Sequence, residues 1–113
     1  MYHLISEQSI YQYFGDDDPD MIREMIQIII DTNIKDLKEL NSFYESGDFA
    51  SIKKRCHKAK PSMSYIGAIK TRKTLEEIES DLENSAPINV SLQDQLRLIE
   101  SELNKFISAI NWT

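Results

Sequence analysis

Little in this chain punctuates a backbone. Three glycines and three prolines are spread over 113 residues, and no stretch alternates β-branched with polar residues as a strand would. Long helices are therefore expected, and the fold class is all-α. Cysteine is nearly absent. Cys56 stands alone, with no partner for an internal disulfide and too few thiolates for a zinc site, which points to a reducing compartment and makes the cytoplasm the expected location. Histidine is limited to His3 and His57, neither within a Glu-x-x-His pair, and that pattern rules out a di-metal carboxylate bundle. The longest purely apolar run is the three isoleucines at 28, 29 and 30, far short of the roughly 20 residues a membrane span needs. Residues 1–20 lack the basic start and apolar run of a signal peptide, so none is expected. Positive charge is also in deficit: 13 Lys and Arg face 19 Asp and Glu, a net charge of -6. Such a surface disfavours non-specific nucleic-acid binding by the chain as a whole. The length suits one domain, 1–113, with one modest core.

What the sequence does have is helical periodicity. Residues 4–14 form a short first helix stopped by Gly15, and residues 18–46 carry the signs of a long one. Asp18 is placed to N-cap it, Pro19 lies in its first turn, acidic residues crowd its positive end, and Gly47 follows its last turn. Its core stripe reads Ile22, Ile26, Ile29, Leu37, Leu40 and Tyr44; Asn33 interrupts it, and Ile28, Ile30 and Ile34 widen it. Asp48 caps the next helix, whose seam is Phe49, Ile52, Cys56, Ala59, Met63 and Ile66, with Gly67 at its end. A further helix spans about 68–84 with Leu75, Ile78 and Leu82 inward, residues 84–91 are a loop, and Ser91 caps a last helix with Leu92, Leu96, Ile99, Leu103, Phe106 and Ile110 on its stripe. Four amphipathic helices on short links bury those stripes most economically as an antiparallel four-helix bundle, with the short N-terminal helix as an addition.

Against the acidic background, residues 53–73, "KKRCHKAKPSMSYIGAIKTRK", hold eight of the Lys and Arg and no Asp or Glu. At about 100° per residue, His57 lies roughly 130° from the centre of its helix's seam and faces outward. Lys53, Lys60 and Ser64 fall at i−4, i+3 and i+7 from it, on the same part of the helix surface. A neutral imidazole nitrogen is a competent nucleophile near neutral pH, and neighbouring ammonium groups draw in a phosphoryl group. By spacing alone, an exposed histidine on a basic helix is most often just a solvated residue.

Within that run, "HKAKPSMSYIG" resembles the signature of the histidine-containing phosphotransfer domain, in which the histidine is followed by Lys at +3, Gly at +4 and a small residue at +10. Here those positions are His57, Lys60, Pro61 and Gly67. The upstream "SGDFASIKKRCHKAK" is similar to the small-Gly-Asp-aromatic run that the family places before its histidine, and "YFGDDDPDMIREMIQIII" to its acidic turn into a long helix. The resemblance covers about residues 10–110. It implies a phosphorelay intermediate that takes a phosphoryl group on His57 from a receiver-domain aspartyl phosphate and passes it to another receiver aspartate. It also implies no autonomous kinase activity, and no glycine loop for nucleotide phosphates is present. Lys60 would stabilise charge on the phosphoryl group, Glu79 would orient the imidazole, and the geometry at Pro61, Ser64 and Gly67 would shape the site. Lys53, Lys54 and Lys58 would dock the acidic receiver pocket, helped by Arg55, Lys70, Arg72 and Lys73. Magnesium would belong to the partner receiver; no cofactor or metal would sit on this chain. Receivers and a hybrid sensor histidine kinase are the implied partners, with no nucleic acid and no membrane insertion.

The chain departs from the family at Pro61, where Gly is usual. Proline removes the amide that would bond the His57 carbonyl and biases Lys60 away from helical geometry, so a kink just past His57 is expected. That departure sustains an alternative, a phosphorylation-incompetent helical module that docks on receiver or kinase domains. A nucleic-acid binder using 53–73 is disfavoured, since Tyr65 is the only aromatic in it. Ile10, Phe14 and Ile22 are candidates for either core or docking surface.

Overall fold

Helix ends in this protein are fixed by side chains the sequence places there. In the computed structural model, which describes residues 2–110, α1 (Glu7–Phe14) begins one turn later than expected because Ser6 is its N-cap, the hydroxyl accepting the Ser9 amide at 3.2 Å. Asp18 caps α2 (Pro19–Ile29) by accepting the Met21 amide at 3.0 Å, with Pro19 at the first position. Asp48 caps α5 (Phe49–Tyr65), accepting both the amide and the hydroxyl of Ser51. Those two bonds hold the Asp48 carboxyl below its ordinary range, the hydroxyl contributing most. No strand occurs among the described residues, and none of their helices is long and apolar enough to cross a membrane.

The long stretch 18–46 is not one α-helix. After α2 the chain makes a π turn at Ile30–Ile34, resumes as α3 (Lys35–Lys38), loosens at Glu39 and ends as α4 (Leu40–Ser46). The π turn explains the broken stripe. Counting back from Leu37 at about 100° per residue, an unbroken α-helix would bring Arg23 and Asn33 to within about 40° of the core direction and leave Ile29 about 80° off it. One extra residue in the π turn rephases the helix. Ile29 is buried along with Ile22, Ile26, Ile30 and Ile34, Arg23 stays at the margin, and Ile28 is left 53% exposed. Asn33 accepts a hydrogen bond from the Ser62 hydroxyl of α5 at 2.7 Å.

Two further boundaries correct the sequence reading. The helix expected over about 68–84 is α6 (Ile69–Ser80) followed by a 3₁₀ turn, Leu82–Asn84. The expected loop 84–91 is the opening of α7 (Ala86–Ile110), so Ser91 is an exposed helical residue and not its cap. Pro87 reads as a loop residue, yet a proline in the first turn gives up no intrahelical bond. The Ser85 carbonyl accepts the Asn89 amide at 2.9 Å, and buried Asn89 donates to Asn41 at 2.8 Å. These contacts extend the helix by more than a turn.

Side chains tie neighbouring helices in a fixed order. α7 meets the stretch before α5 through Lys38–Glu100 at 2.9 Å and through Gln93, which donates to the Leu37 carbonyl at 2.9 Å. Gln95 of α7 accepts from Thr71 of α6 at 2.7 Å and donates to Thr74 at 3.0 Å, so this buried amide is satisfied. The core between them is largely isoleucine and leucine with Met63 and Phe106, and each such side chain fully buried contributes about 1.5–3 kcal/mol. Ile10 and Ile22 belong to this core, which removes them from any docking surface; Phe14 packs partly against it.

The N-terminal segment is held by a carboxylate as well as by apolar contact, with Ile5 buried in the core and Tyr2 edge-on to Phe106. Glu102, 3% exposed on α7, accepts the His3 amide at 2.7 Å, the Leu4 amide at 2.9 Å and the Ile5 amide at 3.1 Å. Burial pushes its carboxyl up, but the three amides outweigh burial and hold it below the ordinary value.

Candidate functional site

Residues 49–65 form one uninterrupted α-helix with Pro61 inside it. The expected departure of Lys60 from helical geometry at a kink does not occur. Pro61 lies on the exposed face, so the lost bond to the His57 carbonyl falls on the solvent side, where a helix tolerates it best. Cys56, Ala59 and Met63 are buried on the opposite face, and this one-sided burial turns His57 outward with its side chain 77% exposed.

α6 supplies the other half of the site. The turn Ile66–Ala68 reverses the chain, and Glu79 comes up beside His57 and Lys60. Glu79 Oε2 lies 3.8 Å from His57 Nδ1, beyond hydrogen-bond reach. Its Oε1 lies 3.0 Å from Lys60 Nζ; that oxygen is buried and accepts no hydrogen bond, so the contact is an ion pair without hydrogen-bond geometry. The Lys60 and Glu79 side chains are 19% and 15% exposed. Glu79 thus lies beside His57 without a hydrogen bond to it and is ion-paired with Lys60.

The remaining cations divide into two sets. Lys53, Lys54 and Lys58 are exposed on α5 around His57, and Lys70 and Lys73 are exposed on α6. Arg55 is turned inward, donating to the Asp36 carbonyl at 2.9 Å and to Glu39 at 3.3 Å, with its guanidinium 4.6 Å from the Phe43 ring centre. Arg72 donates to the Ser64 hydroxyl. Ser64 therefore braces α5 against α6, and Arg55 and Arg72 brace helices instead of presenting charge.

Gly67 has a structural reason to be glycine. It adopts φ +73° in a turn where Ala68 N–H returns to the Met63 carbonyl at 2.8 Å and Gly67 N–H to the Ser64 carbonyl at 3.1 Å, both bonds of a Schellman cap. The start of α1 then docks directly on it, Ser6 N–H donating to the Ile66 carbonyl at 2.8 Å.

Cys56 sits beneath this site. Burial, with the Glu79 charge adding to it and Lys60 opposing, pushes its thiol up to about 12. Native protein at about pH 8 is therefore expected to react with a thiol reagent at least ~100-fold more slowly than protein unfolded in urea. Stoichiometric labelling of the folded chain within seconds would contradict the buried placement.

Sequence reasoning missed the exposed apolar residues. Tyr13, 55% exposed, stacks on Tyr65 at 3.8 Å between ring centres, and Tyr65 follows His57 by eight residues. Met21, Met25 and Ile28 project at i, i+4 and i+7 along α2, 38%, 38% and 53% exposed. The spacing was visible in the sequence, where Ile28 read as widening the core stripe. Among the described residues, no three His, Cys, Asp or Glu side chains converge as a metal site would require.

Comparison with known proteins adds no assignment. No family model matches the chain, and no curated protein or solved structure matches it.

Proposed function

We propose that this chain is a histidine-containing phosphotransfer domain, an antiparallel four-helix bundle with α1 as a short additional helix. In this reading it is a phosphocarrier without kinase activity of its own. His57 accepts a phosphoryl group from a receiver's aspartyl phosphate and delivers it to another receiver aspartate. The observation that carries the reading is the exposed imidazole with Nδ1 facing the Glu79 carboxylate. A carboxylate on that side favours the tautomer with its proton on Nδ1, which leaves Nε2 with the lone pair that attacks phosphorus. Lys60 lies one turn away to neutralise the transferring group's charge. Lys53, Lys54 and Lys58 face an acidic receiver pocket, which brings its own magnesium, and the exposed Tyr13, stacked on Tyr65 at the far end of the same helix, offers apolar contact. A hybrid sensor histidine kinase fits as the upstream partner.

The second reading is a docking module that binds receivers without accepting phosphate. The Lys60–Glu79 pair favours it, since a lysine committed to a carboxylate is not free for a phosphoryl group. Incubation with a phosphorylated receiver separates the two. The carrier reading expects an acid-labile, base-stable label on the chain that disappears in His57→Gln. Binding of receivers with no label from any donor supports the module.

A further inference from the structure

Glu79 touches two functional side chains at once, and that arrangement assigns it more than orientation. One oxygen lies 3.8 Å from His57 Nδ1 and the other 3.0 Å from Lys60 Nζ. The other charged groups on and beside this face are Lys53, Lys54 and Lys58 on α5, Glu76 and Lys73 on α6, and Asp81 and Glu83 in the turn that follows. Among the described residues, Glu79 is the carboxylate within ion-pair distance of the ring.

We infer that Glu79 sets how fast a phosphoryl group leaves His57, by holding a proton on Nδ1 of the phosphorylated ring, and that Lys60 weakens this hold by sharing the same carboxylate. The inference rests on the carrier reading and adds to it a control over discharge. When a phosphoryl group leaves, the Nε2–P bond breaks and its electron pair returns to Nε2, while phosphorus bonds to an oxygen of water or of the partner's aspartate. A ring protonated on Nδ1 then departs as neutral imidazole. An unprotonated ring must depart as imidazolate, a much poorer leaving group. Discharge consequently slows as pH rises and the Nδ1 proton is lost. A carboxylate beside Nδ1 favours the charged ring and carries fast discharge to higher pH, whereas Lys53, Lys54, Lys58 and Lys60 oppose it.

Water screens this pair because the imidazole is 77% exposed. The effect is therefore modest. Wild type, Glu79→Gln and Lys60→Met, each checked for unchanged helicity, would be phosphorylated with phosphoramidate, which needs no partner protein. Phosphate release is then followed from about pH 5 to pH 9. In Glu79→Gln the fall-off should move to lower pH, making release severalfold slower near about pH 8; in Lys60→Met it should move up. Opposite displacements cannot come from loosened packing, which would shift both variants alike. If His57 takes no label, the carrier reading fails and the inference with it. If His57 is labelled and the wild-type and Glu79→Gln profiles coincide, the inference is overturned while the carrier reading stands.

Discussion

Gly67→Ala is expected to destabilise the protein by about 2–4 kcal/mol, whereas Gly47→Ala should cost only about 1 kcal/mol. The two glycines make a controlled pair. Both have φ +73°, and both close Schellman caps, Gly47 with Asp48 N–H returning to the Phe43 carbonyl at 2.9 Å. An alanine at either place meets the same left-handed penalty, about 1–2 kcal/mol. Space separates them. A Cβ on Gly47 meets nothing within 4 Å, while on Gly67 it would lie 2.4 Å from Ser6 Cβ and 3.0 Å from Ser6 N. Ser6 cannot yield cheaply, because its amide is bonded to Ile66 and its hydroxyl caps α1. Urea melts of both variants give the measurement; equal losses would show that α1 is not packed on the turn. Relief of the clash should displace α1, and with it Tyr13 from Tyr65, on the surface beside the proposed site.

Glu102→Gln is the second large effect, a loss of about 1.5–3 kcal/mol near neutral pH. The carboxylate accepts three backbone amides on two oxygens. A glutamine keeps one acceptor oxygen for Leu4 and Ile5 and turns an amino group toward the His3 N–H, donor against donor. The pH dependence has a definite sign. Because the folded carboxyl is held below its ordinary value, the stabilisation is fully present above the unfolded range near about pH 4.3 and is lost as pH falls through the lower folded value. The gap between wild type and Glu102→Gln should therefore be wide at about pH 7 and should close progressively below about pH 4. A gap that persists unchanged at about pH 3 would mean that the charge does not tie down the N-terminal segment.

Much of the site was legible because it lies within one helix. The seam of α5 and the outward turn of His57 follow from spacing alone, since Cys56, Ala59 and Met63 are all buried and His57 is exposed. Asp18 and Asp48 cap where they stand for a local reason as well: a short carboxylate reaches an amide three residues on. Spacing could not tell which cations face a partner. Arg55 and Arg72 look like Lys53 and Lys54 in a sequence, but their length and planar donors carry them onto groups of adjoining helices. Ser64, placed near His57 by register, is occupied by Arg72 for the same reason.

The sequence by itself determined the all-helical class, the amphipathic faces, the caps at Asp18 and Asp48 and the solvent-facing histidine, because each depends on residues within a turn or two along the chain. Tertiary structure decided the rest. It selected the π turn at Ile30–Ile34 over a regular helix, which would turn Arg23 and Asn33 toward the core and Ile29 away from it. It kept α5 continuous through Pro61, where the seam packs on one side and the lost bond faces solvent on the other. It also brought Glu79, 22 residues beyond His57, to within reach of both His57 and Lys60. No local pattern encodes that meeting, because it depends on how the glycine turn at 67 folds α6 back along α5.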